Sequence, residues 1–188
     1  VQTCALPILN VASSQEVNKA IDEVESKFTK IDVLANCAGI STSRKLIDVE
    51  ESEWDRVMNV NLKSAYMLSR RVAQNMIKNN VKNGKIVSIS SQASKIGEYA
   101  NGVYCVSKAG LNMLTQVLAL ELAEYGISVN AVCPGYVNTE MMREVFEKRG
   151  PIEGMTPKEY EKKLTDQVPM KRLVEPEEIA DLMLFLSS

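Results

Sequence analysis

Three side chains between residues 91 and 108 have the types and the spacing needed to move a proton. Ser91 ends an apolar, β-branched run that begins at Gly84, which is typical of a buried strand. Tyr104 and Lys108 are four residues apart at the start of a long helical pattern, so both side chains project from one helix face. The loop at 92–103 contains turn residues that can bring the chain back over the strand end. We therefore expect the hydroxyl, the phenol and the ammonium to converge on one point.

A tyrosine in this setting can act as a general acid or base. Its phenol titrates near 10 in water, and burial alone raises that pKa. Work near neutral pH needs a pKa about three units lower, or roughly 4 kcal/mol of stabilisation of the anion. We expect the Lys108 ammonium to lower the pKa of Tyr104, helped by any cationic ring bound nearby, while Ser91 donates to a substrate oxygen. Taken alone, a Tyr–Lys pair at this spacing is also typical of a helix that simply covers a surface.

Further motifs favour acid/base catalysis over a simple surface helix. Together with Tyr104 and Lys108, they resemble the motifs of the short-chain dehydrogenase/reductase family in order and spacing. The similarity covers nearly the whole chain from Asn10 onward. The matching segments are Asn36-Cys-Ala-Gly39 at a strand end, Asn61 within Asn59-Val-Asn-Leu62, Ser91, the pair Tyr104 and Lys108, and Pro134-Gly135 with Thr139. Cys37 stands where the family has a second asparagine.

The resemblance implies hydride transfer between a nicotinamide cofactor and a carbonyl or secondary alcohol carbon. Tyr104 would be the general acid/base and Ser91 would orient the carbonyl. Lys108 would lower the pKa of Tyr104 and hold the nicotinamide ribose, and Asn61 would position a relay water. The resemblance implies NAD or NADP as cofactor, and no metal. The cofactor-binding positions carried over are Asn10, Val11, Asn36, Ala38, Gly39, Tyr104, Lys108, Pro134, Gly135, Val137 and Thr139.

Composition narrows the possible classes of protein. The chain of 188 residues has a formal net charge of −2, which argues against a nucleic-acid or membrane-surface partner. It contains no histidine, which excludes a Ser–His or Cys–His nucleophile and most zinc sites. The four cysteines are not paired in Cys-x-x-Cys spacing, so we expect a cytoplasmic protein without a metal site. No apolar run approaches about 20 residues, so no membrane-spanning segment is expected.

Strand patterns alternate with helical patterns along the chain. Because the strands read as continuous apolar runs, they predict an α/β fold with a parallel sheet covered on both faces. We expect a Rossmann-type, doubly wound, three-layer αβα domain that lacks the family's first βαβ unit and its last strand. Helices are predicted at about 14–29, 50–80 (with a bend near 59–61), 104–125, 141–148, 157–165 and from 176 onward. Strands are predicted at 31–36, 84–91 and 127–133.

Two segments stand apart from this pattern. Residues 1–9 occupy a strand position although Pro7 lacks the N–H of a central strand, so we interpret them as a non-native start, an edge strand being the alternative. The partial dehydrogenase domain would then span 10–188. Residues 139–168 form a long polar connection with several apolar side chains, which is typical of a substrate lid, and a solvated linker is the alternative.

The substrate is expected to be a small molecule carrying a carbonyl or alcohol. The predicted lid and the segment 167–172 look closest to sugar, polyol and small-diol dehydrogenases such as sorbitol-6-phosphate or butanediol dehydrogenases. A 3-oxoacyl-acyl-carrier-protein reductase is the alternative within the family, and a non-catalytic nucleotide sensor or scaffold is the alternative outside enzymes. The intact Asn–Ser–Tyr–Lys set argues against the sensor, which has no need of that chemistry. The complete protein is expected to be a homodimer or homotetramer.

One motif of the family does not occur in the sequence, namely the Thr-Gly-x-x-x-Gly-x-Gly loop. In dinucleotide-binding folds the backbone N–H groups of such a loop hold the pyrophosphate. We therefore predict that residues 1–188 by themselves neither turn over substrate nor bind NAD or NADP with useful affinity. Calorimetric titration with each nucleotide checks this, and sub-millimolar binding would contradict it.

Overall fold

The computed structural model describes residues 9–188. The predicted non-native start at residues 1–9 therefore lies outside the described residues except for Leu9. Asn10 follows, with its side-chain Oδ1 accepting a hydrogen bond of 3.1 Å from the Ala12 backbone N–H. The chain then turns into its first helix, where Ser13 is the N-cap. The predicted start at Ser13 or Ser14 is thus confirmed.

Three strands form one parallel sheet in sequence order, and together with the helices they confirm the predicted α/β class. The strands are Val33–Asn36 (β1), Lys85–Ile89 (β2) and Ser128–Val132 (β3). The helices are Ser14–Phe28 (α1), Glu51–Met58 (α2), Ser64–Lys78 (α3), Gly102–Leu122 (α4), Glu140–Ile152 (α5), Pro157–Gln167 (α6) and Pro176–Ser187 (α7). In register, Ile86 lies beside Leu34 on one neighbour and Val129 on the other.

Helices cover both faces of the sheet. Ile86 and Val129 face a hydrophobic core made with α1, α3 and α4, in which Met76 is fully buried. Val87 follows Ile86 in the strand and so points to the opposite face, where α7 contacts β2 and β3. The predicted helices and strands are thus confirmed, with ends shifted by at most four residues.

The predicted bend near Asn59–Asn61 is a five-residue π-helical turn, Asn59–Lys63, between α2 and α3. Such turns are rare and occur often at functional sites. The predicted end of α4 is also found. The helix continues through a 3₁₀ turn, Ala123–Tyr125, and stops at Gly126 with φ of +70°. This left-handed conformation suits glycine, which has no Cβ to clash.

Helix α4 with its 3₁₀ extension, Gly102–Tyr125, is the one segment of the described chain long and apolar enough to cross a membrane. The core helix of a globular protein meets the same criterion, and this helix packs against β3 and contains the buried Lys108. We therefore interpret it as a core helix.

Helices α5 and α6 form a separate layer with its own small core. Val145 and Phe146 of α5 pack against Tyr160 and Leu164 of α6. The segment returns to the main fold through a parallel bridge between Val137 and Val174. The predicted lid, 139–168, therefore corresponds to this α5–α6 layer.

Candidate active site

The carboxyl ends of the three strands meet at one edge, where a cavity of about 460 Å³ opens. Each strand is followed by residues that line it: Cys37 and Gly39 after β1, Ser91 after β2, and Gly135 after β3. Parallel strands with helical crossovers bring such ends together, and ligands of open α/β sheets bind there. The volume falls within the range of small-molecule sites.

Ser91 is held at the end of β2 by its own local structure. It is the N-cap of a 3₁₀ turn, Gln92–Ser94, and its Oγ accepts a hydrogen bond of 3.1 Å from the Ala93 backbone N–H. The Ser91 hydroxyl lines the same cavity as Tyr104, and its presence near the phenol favours the phenolate. The predicted convergence of strand end and helix start is therefore found.

Tyr104 and Lys108 lie one turn apart on α4, as their spacing predicts. The Lys108 ammonium is 5.6 Å from the centre of the Tyr104 ring. Its Nζ donates a hydrogen bond of 2.7 Å to the Ile89 carbonyl at the end of β2, and the residue is only 3% exposed. This bond ties the helix to the strand that leads into Ser91.

Burial governs the pKa of both groups. It lowers the pKa of Lys108 from 10.5 to about 8, because the low-dielectric surroundings disfavour the ammonium. It raises the pKa of Tyr104, while the nearby Ser91 hydroxyl and the charge of Arg149 act in the opposite direction. Burial of the phenol outweighs these two groups, and the expected effect of Lys108 on the pKa of Tyr104 stays a prediction.

Asn61 lies in the π-helical turn, and its side chain makes three hydrogen bonds. Its Oδ1 accepts from the Ile40 N–H at 2.8 Å, and its Nδ2 donates to the Ile40 carbonyl at 2.9 Å and to Ser107 Oγ at 3.0 Å. It therefore joins the loop after β1 to α4. In that loop, a Cβ on Gly39 would lie 3.4 Å from Lys108 Nζ and 3.7 Å from Asn61 Oδ1, so the loop runs close beside both residues. Asn61 does not itself line the cavity.

The predicted cofactor-binding positions divide into two groups. The structure brings seven together around the cavity: Gly39, Tyr104, Lys108, Pro134, Gly135, Val137 and Thr139. Asn10, Val11, Asn36 and Ala38 do not line it. Thr139 is also the N-cap of α5, through a hydrogen bond of 3.3 Å from the Met142 N–H to its Oγ1.

Two observations test whether these residues fit a nicotinamide dinucleotide. Asn36, at the end of β1, is 6% exposed, and its Nδ2 donor has no hydrogen-bond partner among the described residues. A buried amide without a partner is costly, and this one lies at the strand end behind the cavity lining. Gly39 and Gly135 have no side chain to separate the backbone from a ligand at the strand ends. A Cβ at Gly135 would lie only 3.2 Å from Gln92 Oε1. The residues present thus fit the cofactor.

Sequence reasoning missed several polar residues of the cavity. Gln92, Glu98, Tyr136 and Arg149 all line it. Arg149 lies on the buried face of α5, one turn after Val145, and is 4% exposed. A charged residue at an apolar position of the helix pattern was the available signal, but its partner Glu98 is 51 residues away.

Comparison with known proteins identifies the family. The family profile described as Enoyl-(Acyl carrier protein) reductase matches residues 3–188. The 3-oxoacyl-acyl-carrier-protein reductase of Thermotoga maritima is 36% identical over 96% of this chain and 68% of its own length. The chain belongs to the short-chain dehydrogenase/reductase family. This membership confirms the predicted family, the Rossmann-type fold and the NAD(P)-dependent oxidoreductase class.

Solved structures of this family match the described fold closely. Sorbitol-6-phosphate 2-dehydrogenase from Erwinia amylovora superposes with a TM-score of 0.90 at 29% identity, covering 96% of this chain and 70% of that chain. An NAD⁺-bound xylitol dehydrogenase superposes with a TM-score of 0.91 at 30% identity, covering 97% and 72%. Relatives of this dehydrogenase therefore include enzymes named for polyols and an enzyme named for an acyl-carrier-protein substrate.

The lowered pKa of Lys108 predicts how stability depends on pH. Between pH 8 and 10.5 the unfolded state holds a proton that the folded state has lost, so the free energy of unfolding rises with pH in that range. In Lys108→Met this rise disappears. The difference in unfolding free energy between wild type and variant should therefore change by about 3 kcal/mol in favour of the wild type.

Chemical denaturation at a series of pH values measures this difference. Lys158→Met, at an exposed position of α6, serves as the control for loss of a lysine. A difference for Lys108→Met that stays constant from pH 8 to 10.5 would contradict the prediction.

Proposed function

We propose that this protein is an NAD(P)-dependent oxidoreductase that interconverts a carbonyl and a secondary alcohol. The observation that carries the proposal is the convergence of Ser91, Tyr104 and Lys108 on one cavity at the strand ends. A serine and a tyrosine that meet in this way can both reach one substrate oxygen. A nucleotide sensor would need neither group.

The side chains support a division of roles during carbonyl reduction. Ser91 donates a hydrogen bond to the carbonyl oxygen, and Tyr104 transfers its phenolic proton to that oxygen as the alcohol forms. In the direction of oxidation, the phenolate accepts the hydroxyl proton. Lys108, held in place by the Ile89 carbonyl, stabilises the phenolate through its charge and binds the nicotinamide ribose. Asn61 holds the loop after β1 and positions the water that returns a proton to this site.

NAD or NADP is the proposed cofactor, and when bound it supplies or accepts the hydride. Gly39, Pro134, Gly135, Val137 and Thr139 would contact it at the strand ends, with Tyr104 and Lys108. Asn36 would help to complete its site through the unpartnered amide. Asn10 and Val11, before α1, would lie toward the adenine.

The proposed substrates are sugars, polyols or small diols. The predicted lid lines the cavity with the apolar residues Met141, Met142 and Val145 and with Arg149, and Glu98 adds a polar group from the loop after β2. The two solved relatives named for sorbitol 6-phosphate and xylitol favour this class. Reduction of a 3-oxoacyl thioester is the second candidate, favoured by the 36% identity to the Thermotoga enzyme.

We also propose that the protein is cytoplasmic, as the spacing of its cysteines predicts.

The catalytic role of Tyr104 predicts a large loss of activity on removal of one oxygen. In the complete protein, Tyr104→Phe should lower kcat at least about a hundredfold, because the proton donor is lost. Binding of the cofactor should change little, since the phenol adds little contact surface. Steady-state kinetics and cofactor titration measure the two effects.

Tyr99→Phe is the matched control, because Tyr99 is 58% exposed and precedes the same helix. It should keep wild-type activity. A Tyr104→Phe enzyme with more than about a tenth of the wild-type kcat would rule out the acid/base role.

The predicted dimer or tetramer also has a candidate surface. Helix α4 exposes an apolar stripe at helical spacing, Val106, Met113, Val117 and Leu120, and Leu120 is 80% exposed. Pairing of this stripe with a second copy would remove it from water. In that case Leu120→Glu should shift the complete protein toward monomer, because an unpaired carboxylate would be buried in the contact.

Analytical ultracentrifugation measures the change of mass. Ile47→Glu is the control, since Ile47 is 90% exposed on a different surface and should leave assembly unchanged. An oligomer that Leu120→Glu leaves intact would show that the stripe is not the interface.

A further inference from the structure

An ion pair between Glu98 and Arg149 forms a polar wall of the cavity. Arg149 Nη1 lies 3.0 Å from Glu98 Oε2, and the two side chains are 5% and 19% exposed. Glu98 precedes α4 in the chain, whereas Arg149 belongs to α5. Both residues line the cavity that contains Ser91 and Tyr104. Among the ion pairs of the described residues, this one is the least exposed.

Stability is a poor explanation for burying these two charges. Desolvation of a buried ion pair costs about as much as the attraction returns, and well-packed apolar residues often serve as well. The pair is moreover incompletely satisfied. Arg149 Nη2 reaches Ser41 Oγ at 3.5 Å and the Thr42 carbonyl at 3.4 Å, which are long hydrogen bonds. Arg149 Nε is buried and has no partner within the described chain.

The carboxylate likewise keeps an unused acceptor. Glu98 Oε2 accepts from Arg149 and from Asn101 Nδ2, the latter at 2.8 Å. Its Oε1 takes part in no hydrogen bond within residues 9–188. The pair therefore offers an unused acceptor to the cavity, Glu98 Oε1, whereas the unpartnered Arg149 Nε is enclosed by protein.

We propose that the Glu98–Arg149 pair recognises a hydroxyl group of a neutral substrate, and that it thereby selects sugars, polyols and diols. This inference rests on the proposed function and specifies its substrate class. A hydroxyl group can donate to the free carboxylate oxygen, while Arg149 holds the carboxylate in place through its other oxygen. A carboxylate or phosphate would meet the charge of Glu98, and an alkyl chain would leave the carboxylate oxygen without a partner.

The position of Arg149 makes this hydroxyl site depend on the α5–α6 layer. Arg149 is carried by α5, whereas Glu98 lies in the loop after β2 and Thr42 in the loop after β1. Arg149 and Glu98 are adjacent because α5 lies over the strand ends, so the recognition site depends on the position of α5.

The first test compares oxidation of butane-2,3-diol and butan-2-ol by the complete protein with NAD⁺ and with NADP⁺. The two alcohols share a carbon chain and differ by one hydroxyl. The variant is the double substitution Glu98→Gln with Arg149→Met, which removes both charges and so leaves neither buried alone. We expect the wild type to prefer the diol in kcat/KM, and the variant to lose at least about tenfold of that preference.

The ratio of the two substrates isolates recognition from catalysis. A changed charge near Tyr104 alters proton transfer to both alcohols alike, so it cancels in the ratio. The loss should appear mainly as a raised KM for the diol, with butan-2-ol changed by less than about threefold. Glu53→Gln is the matched control, because Glu53 forms an ion pair of the same length, 3.0 Å, with Arg44 outside the cavity. It should leave the ratio unchanged.

The second test measures binding without turnover, by saturation-transfer NMR of the diol, of butan-2-ol and of 3-hydroxybutyrate with the complete protein. The wild type should show transfer to the diol, which the double variant should lose, and weaker transfer to the anion. Diol binding that depends on the pair, in a protein that oxidises neither alcohol, would support this inference and contradict the proposed function. Turnover with an unchanged diol preference, equal binding by the variant, or stronger binding of the anion would each overturn the inference.

Discussion

The burial of one ammonium group constrains the site more than any other interaction. Lys108 gives up most of its hydration, and its Nζ donates to the Ile89 carbonyl at the end of β2. This bond holds α4 against the strand that leads to Ser91, and so fixes the serine and the tyrosine relative to each other. The same burial lowers the pKa of Lys108 to about 8.

The position of the loop after β1 depends on an irregular turn between α2 and α3. The π-helical turn at Asn59–Lys63 directs the Asn61 amide into the backbone of the loop after β1. That loop brings Gly39 close to Lys108. A regular helix at this point would rotate the amide to another face, and the loop would lose its two hydrogen bonds. The local cost of the turn is offset by the order it gives to the strand end.

The cavity combines two kinds of chemistry that come from different parts of the chain. The proton-transfer groups are carried by β2 and α4, which are packed into the main core. A polar wall is completed by Arg149 from the α5–α6 layer, which has a core of its own. Such a division allows the layer over the strand ends to vary in its substrate contacts while the reacting groups keep their positions. The relatives named for polyols and for an acyl-carrier-protein substrate are consistent with this division.

Local patterns determined the elements of this protein and the residues that could react. The apolar run before Ser91 and the four-residue spacing of Tyr104 and Lys108 predicted the strand, the helix and their meeting point. Gly126 predicted the end of α4, and the asparagines near 61 predicted the irregular turn. These features depend on periodicity and on backbone preference, which act over a few residues and so are readable in the sequence.

Tertiary structure alone decided the electrostatics and the polar wall. The sequence places Lys108 beside Tyr104 and predicts a lowered pKa for the phenol, but the depth of burial, which raises it, is a property of the packed molecule. Burial likewise sets the pKa of Lys108. The pairing of Glu98 with Arg149 joins residues 51 positions apart, and only the packing of α5 over the strand ends brings them together. Solvent exposure and long-range contacts are determined by the whole fold, so no local pattern encodes them.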